Sequence, residues 1–526
     1  MNNHAPDKKV SFNAGVWIEI FSWIEHYIIM KVNPLFSLLC VVLFICSCRM
    51  DYGEFSSEPD NSVVQDVAPR LFWAFNYRTS EYYLITANLF TDGRYCRIWV
   101  EQGARVTAAA TNNVADIFDR YIYPRMMSTF GIYGSITFNG EIIARNTMQL
   151  ADWLGDGDGK LTILLLDIQD NYQPGVNSSR TAGYFSSTDL WGNRPYSNKA
   201  DMLYIDTNPE RPGSVASNKT IAHEMQHLMN FVTSILQRSD TAIHEMDTWI
   251  NEGLSAIAEW VYYEEHSEDR WSYYNSDPSG LLRKGNNFFI WGNRTNEHSY
   301  AELDDYATVY LFFHWLRLQS GGTDIFSDLI KSNKSNYLAV TEAAGNAIKG
   351  AGYGDWDTLL RTWLVANYIN AGNGPYGYKG DRALRNIKAK TIPEGTETVR
   401  LFPGEGVFSL TRAGYVWPAA EGNIKYAGLT NRSPWVSATM TFPNGALLTY
   451  NANPNANGGQ ELGKTSGIAS KIDTTIYDQR VKALLAERTV IDLTNMLGSN
   501  RYDETPEPAM AGAAIGNIKL GSTASP

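Results

Sequence analysis

A chain of 526 residues is long enough for two or three domains with well-buried cores. Its 44% hydrophobic and 13% aromatic content, against 19% charged residues, excludes a disordered protein. A formal net charge of −12, with no basic stripe to displace counterions from phosphates, weighs against a nucleic-acid partner. In chain order, residues 1–29 come first, and their apolar part, AGVWIEIFSWIEHYII, is interrupted by Glu19, Glu25 and His26, which makes a poor membrane span. A better start follows at Met30, so these residues read as an upstream-start artefact.

Residues 30–48, MKVNPLFSLLCVVLFICSC, have the layout of an export signal: one Lys, an apolar run from Leu35 to Cys46, then small residues. The run is too short for a helix across a ~30 Å hydrocarbon core, which takes roughly 20 residues. Ile45-Cys46-Ser47-Cys48 resembles a bacterial lipobox, which makes residues 30–47 a lipoprotein signal peptide and Cys48 the lipidated residue of an exported, membrane-anchored protein at the cell surface or facing the periplasm. The alternative is an ordinary secretory signal and a soluble secreted protein. With Cys40, Cys46 and Cys48 in this segment, Cys96 is the only other thiol, so no intramolecular disulfide is expected.

Residues 48–69 are polar and acidic and read as a tether. From 70 to 215, YYLITANLF, YCRIWVEQ and KLTILLLDI carry the β-branched and aromatic enrichment of strands, while NNVADIFDRYIYPRMM has helical spacing. GDGDGK at 155–160 invites comparison with a calcium loop, but an EF-hand alignment on Asp156 and Asp158 puts Leu154 and Leu165 at the first and twelfth positions, so a turn before a strand is the reading. Residues 216–385 turn helical, with periodic stretches near 219–236, 248–264 and 304–319, the last ending at Gly321-Gly322. From 390 to 526, short runs such as GVFSLTR, VSATMTF and ALLTY between Gly, Pro and Asn suggest a β-rich C-terminal domain. The fold class is therefore α+β.

The tripeptide His-Glu-Met occurs twice, in TIAHEMQHLMNF and TAIHEMDTWINEGLSAIAEW. In the first, His223 and His227 are four apart, so on a helix both imidazoles share one face and can share one tetrahedral metal, while Ile221, Met225, Leu228, Met229 and Val232 form a core face. Glu224 projects beside the metal as general base in the H-E-x-x-H arrangement of zinc peptidases. The second copy has Thr248 where a paired His would be needed, so it is no rival site. A catalytic zinc takes three protein ligands and keeps one position open. A metzincin third ligand is excluded, because Asn230 and Thr233 stand where Gly and His or Asp are required. Glu245, Asp247, Glu252 and Glu259 remain as donors. On a helix, Glu252, Ser255, Ala256 and Glu259 share one face, expected to be wet, and Leu254, Ile257, Ala258 and Val261 the packed one.

WINEGLSAIAE resembles the stretches by which thermolysin-like enzymes and gluzincin aminopeptidases supply the third ligand, which implies Glu252. The Asp that orients a metal-bound His in the thermolysin-like motif falls at Ala256 here, and Glu259 is its expected substitute in the second shell. YATVYLFFHWL resembles the gluzincin helix that begins with an oxyanion-binding Tyr, which implies Tyr306, with His244 as the weaker alternative; Tyr310 and Phe312 read as core, and His266, His298 and His314 as structural or exposed. FDRYIYP, GDGDGKLTILLLDI, GYF, DMLYIDT, AHEMQHLMNF and TWINEGLSAIAE together resemble the hyicolysin-type zinc metallopeptidases over roughly residues 70–320. That resemblance implies a gluzincin fold, one catalytic Zn2+ and proteolysis, with His223, His227 and Glu252 as ligands. DMLYIDT is expected to be the edge strand along which a protein or peptide substrate lies. An endopeptidase is preferred, since no G-x-M-E-N-like stretch for a free amine precedes the active helix. The alternative from another class is a catalytically silent surface lipoprotein or adhesin that retains the zincin fold.

Overall fold

A computed structural model of the chain describes residues 67–177, 180–239, 243–285, 301–350, 352–392, 401, 403–412, 423–429, 444–454, 490–492 and 510–511. The signal segment, Cys48, residues 48–66 of the tether, His298 and the stretch VSATMTF lie outside them. Among the described residues no helix is long and apolar enough to cross a membrane.

The frame of the site is a mixed sheet. Strands β1 (Arg70–Asn76), β2 (Glu81–Asp92) and β3 (Cys96–Glu101) run antiparallel in sequence. β3 then pairs in parallel with β6 (Leu161–Leu166), and β6 in parallel with β8 (Met202–Asp206). The last two strands are fully buried, as parallel central strands covered on both faces must be, and their sequences LTILLL and MLYID are near-continuous apolar runs. β7 (Gly183–Phe185) packs antiparallel on the far side of β8, and Met510–Ala511 pairs antiparallel with β7. DMLYIDT is therefore not an edge strand: it is hydrogen-bonded on both sides, and β7 lies outside it.

The stretch expected as one helix over 112–127 is interrupted. α1 (Ala108–Ile117) starts at the N-cap Thr107, a π-turn occupies Phe118–Ile122, and α2 (Tyr123–Phe130) follows. Pro124 in the first turn of α2 lacks an N–H and its ring conflicts with the carbonyl four residues back, which accounts for the widened turn before it. A hairpin of β4 (Tyr133–Phe138) and β5 (Glu141–Asn146) leads into α3 (Thr147–Leu154), capped by Asn146.

The helical region begins with α4 (Val215–Gln237), whose N-cap Ser214 accepts from the Ser217 amide at 3.1 Å, and continues with α5 (Thr248–Tyr263), α6 (Glu268–Ser276), α7 (Ala301–Ser320), α8 (Asp324–Ile330), α9 (Tyr337–Ala347) and α10 (Trp356–Ile369). α7 ends where Gly321 takes a φ of +89°. The three-stranded sheet β10 (Ile424–Leu429), β11 (Asn444–Asn451) and β9 (Gly406–Arg412) falls in the stretch read as β-rich, and its Phe408, Leu429, Leu448 and Tyr450 are buried in the same apolar cluster as Trp363 and Leu364 of α10.

α5 sits between α4 and α7 and is buried on every side, so the face with Glu252, Ser255 and Glu259 is not wet as its pattern suggested. Those polar side chains face buried partners on α4 instead. Gly253 permits this close packing, because a Cβ there would lie 2.3 Å from the Phe313 ring of α7. Phe313 is fully buried against Trp249 and Phe326 and has nowhere to go. Gly253→Ala should therefore destabilise the protein by roughly 1–3 kcal/mol through overpacking, outweighing the ~1 kcal/mol that alanine gains over glycine in a helix. Chemical denaturation checks this, and an unchanged or raised stability contradicts the packing account.

Candidate functional site

α4 carries His223 and His227 one turn apart, with ring centroids 4.9 Å from each other. Across from them, the Glu252 carboxylate approaches His223 Nε2 at 3.3 Å and His227 Nε2 at 3.7 Å. Of the four acidic residues available as a third donor, Glu252 is the one that closes a His-His-Glu group, with donor atoms all within 4.8 Å of one another. Glu245 is exposed, Asp247 stands just before α5, and Glu259 lies on the opposite side of the His223 ring, where its Oε1 is 3.0 Å from Nδ1. Glu259 is thus placed to orient the imidazole, and its other oxygen accepts from the Ser267 hydroxyl at 3.2 Å.

The electrostatics favour a cation at this point. His223 would be held low by burial, but Glu252 and Glu259 outweigh that and raise it to about 10. Burial lowers His227 to about 4, so this ring stays neutral and available as a donor, Glu252 only partly opposing the shift. Burial pushes Glu252 up, yet His227, His223 and the hydroxyl of Tyr306 hold it below its ordinary value. Glu224, fully buried, is pushed up to about 8, first by burial and then by Glu252 and Glu259, with His223 opposing. His223 Nε2 and Glu252 Oε2 are buried with only each other near, 3.3 Å apart, and both Glu224 oxygens are buried with only the Phe185 backbone as a neighbouring donor. Orphaned buried donors and acceptors are costly, and two imidazole nitrogens with a carboxylate oxygen are the donor set of a zinc site with an open position. The residues present fit a metal.

Glu224 faces the backbone of Phe185 on β7, which sits close to α4 because Gly183 has no side chain: a Cβ there would meet Thr220 at 2.7 Å and the Tyr204 carbonyl at 2.8 Å. Tyr306, on α7, reaches the group through its hydrogen bond to Glu252, and the Arg270 guanidinium lies 4.5 Å from its ring centroid. His244 is exposed on the segment before α5. Tyr310 and Phe312 are core, with the Tyr310 hydroxyl 2.7 Å from His266 Nδ1, and His314 is buried beside them.

Sequence reasoning missed the supports of His227. The Ser255 hydroxyl is 3.2 Å from its Nδ1, and Asn251 bonds Asn230, which in turn receives Arg238. Ser255 was visible only as a member of the Glu252 face. Tyr77, just after β1, was also missed: its hydroxyl is buried and unpartnered, raised by burial and then by the charge of Glu224, and nothing local in the sequence signals that.

A mixed sheet with a buried His-Glu-x-x-His helix and a carboxylate from the next helix is an arrangement consistent with a metalloprotease of the zincin kind. Over 350 residues the chain is 29% identical to the neutral metalloprotease ShpI of Staphylococcus hyicus, covering 64% of this chain and 71% of that protein. The family resemblance carried by the separated sequence segments is thereby borne out. No protein-family model matches the chain.

Removing the carboxylate that orients His223 should weaken metal binding without unfolding the protein. Glu259→Gln is expected to lower affinity about 10- to 100-fold, measured by competition with a chromophoric chelator. Unchanged affinity would remove Glu259 from the site.

Proposed function

We propose that residues 70–385 form a zinc-dependent endopeptidase that hydrolyses peptide bonds in proteins. The observation that carries this reading is the convergence of His223, His227 and Glu252 with a buried Glu224 beside them. A scaffold or adhesin has no use for such a carboxylate, which is costly to bury.

Bound by His223, His227 and Glu252, Zn2+ supplies Lewis-acid polarisation and lowers the pKa of a bound water to about 7. Glu224 accepts the proton of the attacking water and passes it to the leaving amine. Its raised pKa suits the task, since a base that must later act as an acid works best near the operating pH. Tyr306 donates to the oxyanion as the carbonyl carbon becomes tetrahedral, and Arg270 positions its ring. An extended substrate lies along β7, whose backbone borders Glu224 and whose outer edge accepts an antiparallel segment, as Met510–Ala511 does. Glu259 and Ser255 hold the two imidazoles in their ligating orientation. We further propose export with a lipid on Cys48, carried by the apolar run and the Ile45–Cys48 sequence.

Glu224→Gln should retain one zinc per chain while hydrolysis of denatured casein falls by several orders of magnitude, and 1,10-phenanthroline should abolish the wild-type activity. Casein cleavage by Glu224→Gln at the wild-type rate, or absence of stoichiometric zinc, would overturn the reading. Tyr306→Phe should lower kcat about 10²- to 10³-fold with KM little changed, the loss typical of one oxyanion donor. A change confined to KM would mean that Tyr306 binds substrate instead.

A further inference from the structure

A second cluster of carboxylates lies at the end of α3 and in the loop that leads to β6. Oxygens of Asp152, Asp156 and Asp158 come within 4.8 Å of one another. Such clusters are common on surfaces and alone say little. Asp201, the residue before β8, changes the argument. It is 1% exposed, and its Oδ1 is buried without a hydrogen-bond partner. It lines one cavity of about 450 Å³ with Asp152, Gly159 and Lys160. Burial raises its carboxyl well above the ordinary range, and Asp152, Asp156 and Asp158 raise it further; Asp201 stands outside the 4.8 Å group itself but shares its cavity with Asp152.

The nearby cations do not satisfy this group. Arg97 pairs with Asp158 and Arg70 approaches Asp156 at 3.6 Å, while the Lys160 ammonium is 2.6 Å from Asp92. Arg145 also lines the cavity. Among the described residues, Asp152 and Asp201 have no ion-pair partner; Asp152 accepts only the Gly159 amide, at 2.6 Å. A buried carboxyl near other carboxylates and without a counter-charge is held in its neutral form, and a bound cation would let it ionise.

We propose that Asp152, Asp156, Asp158 and Asp201 form a calcium site. The donors are all oxygen, which suits a hard cation and not zinc. An irregular set drawn from a helix end, a loop and the residue just before a distant strand suits the variable coordination of Ca2+ better than the strict octahedron of Mg2+. Left-handed backbone at Gly157 (φ +69°) and Gly159 (φ +85°) turns the loop. The EF-hand spacing fails here because the fourth carboxylate comes from the residue just before β8, not from the loop's continuation. The Thr162 amide bonds the Asp201 carbonyl at 2.9 Å, so the ion would clamp the starts of β6 and β8, the two central parallel strands. Its role is to stabilise the sheet that leads into α4.

The test uses the full chain loaded with zinc, titrated with CaCl2 by calorimetry and followed by thermal denaturation. The expected result is one Ca2+ per chain, with Kd between about 10⁻⁶ and 10⁻³ M, and a Tm raised by several degrees at saturation. Asp201→Asn should abolish the calcium-dependent rise with zinc content unchanged. Without calcium its Tm should stay close to that of wild type, because the Asp201 carboxyl is already held neutral there; a purely structural role for Asp201 predicts a clear fall. Asp156→Asn gives the same readout from the exposed side of the site if Asp201→Asn does not fold. No calcium heat and no Tm shift in wild type at 5 mM, an equal response to Mg2+, or a wild-type calcium response in the folded variants would overturn the proposal.

Discussion

The pairing of two buried imidazoles with two buried carboxylates is the constraint on which the site depends. His223 stands between Glu252 and Glu259, and His227 faces Glu252 from the next turn of α4. None of these groups is stable alone in an apolar interior. Together they create a point of negative potential with nitrogen donors, which is what a divalent metal requires. α5 must therefore lie against α4 with its polar face inward, and Gly253 is the residue that lets it come close enough to α7 to do so.

The sheet contributes by position rather than chemistry. β8 and β6 are central and fully buried, and they deliver the chain to α4 without side chains of their own in the metal group. β7 is the strand nearest the site: a short, buried antiparallel strand on the outside of β8, held against α4 by the absence of a side chain at Gly183. Its backbone is consequently the part of the sheet that Glu224 meets. At the other end of β6 and β8, Asp152 of α3 groups with Asp156 and Asp158 of the following loop, and Asp201 shares a cavity with Asp152. The same two strands thus join a metal group reached through α4 to an oxygen-rich cluster at their starts.

Much of this was legible in the sequence, and the limits are physical. Helical periodicity located α4, α5 and α7 to within a few residues, because their apolar positions recur at the spacing that packing demands. The four-residue separation of His223 and His227 requires a shared face on any helix. Periodicity failed for α5, where the polar face is buried against other polar groups: a pattern records polarity, not solvent contact. Strand order was beyond its reach as well. DMLYIDT reads the same whether central or at an edge, and only the pairing with β7 decides. Pairs distant in sequence, such as Tyr77 with Glu224 or Asp201 with the GDGDGK loop, leave no local trace at all.

The central claim is that His223, His227 and Glu252 bind zinc together and leave a position open. X-ray absorption at the zinc edge of the purified full chain tests it most directly. The account predicts one zinc per chain in a shell of two imidazole nitrogens and oxygens at about 2.0–2.2 Å, with zinc binding weakened and the imidazole signal reduced in His223→Ala and in His227→Ala. A shell containing sulfur, or zinc bound equally well by both variants, would contradict it.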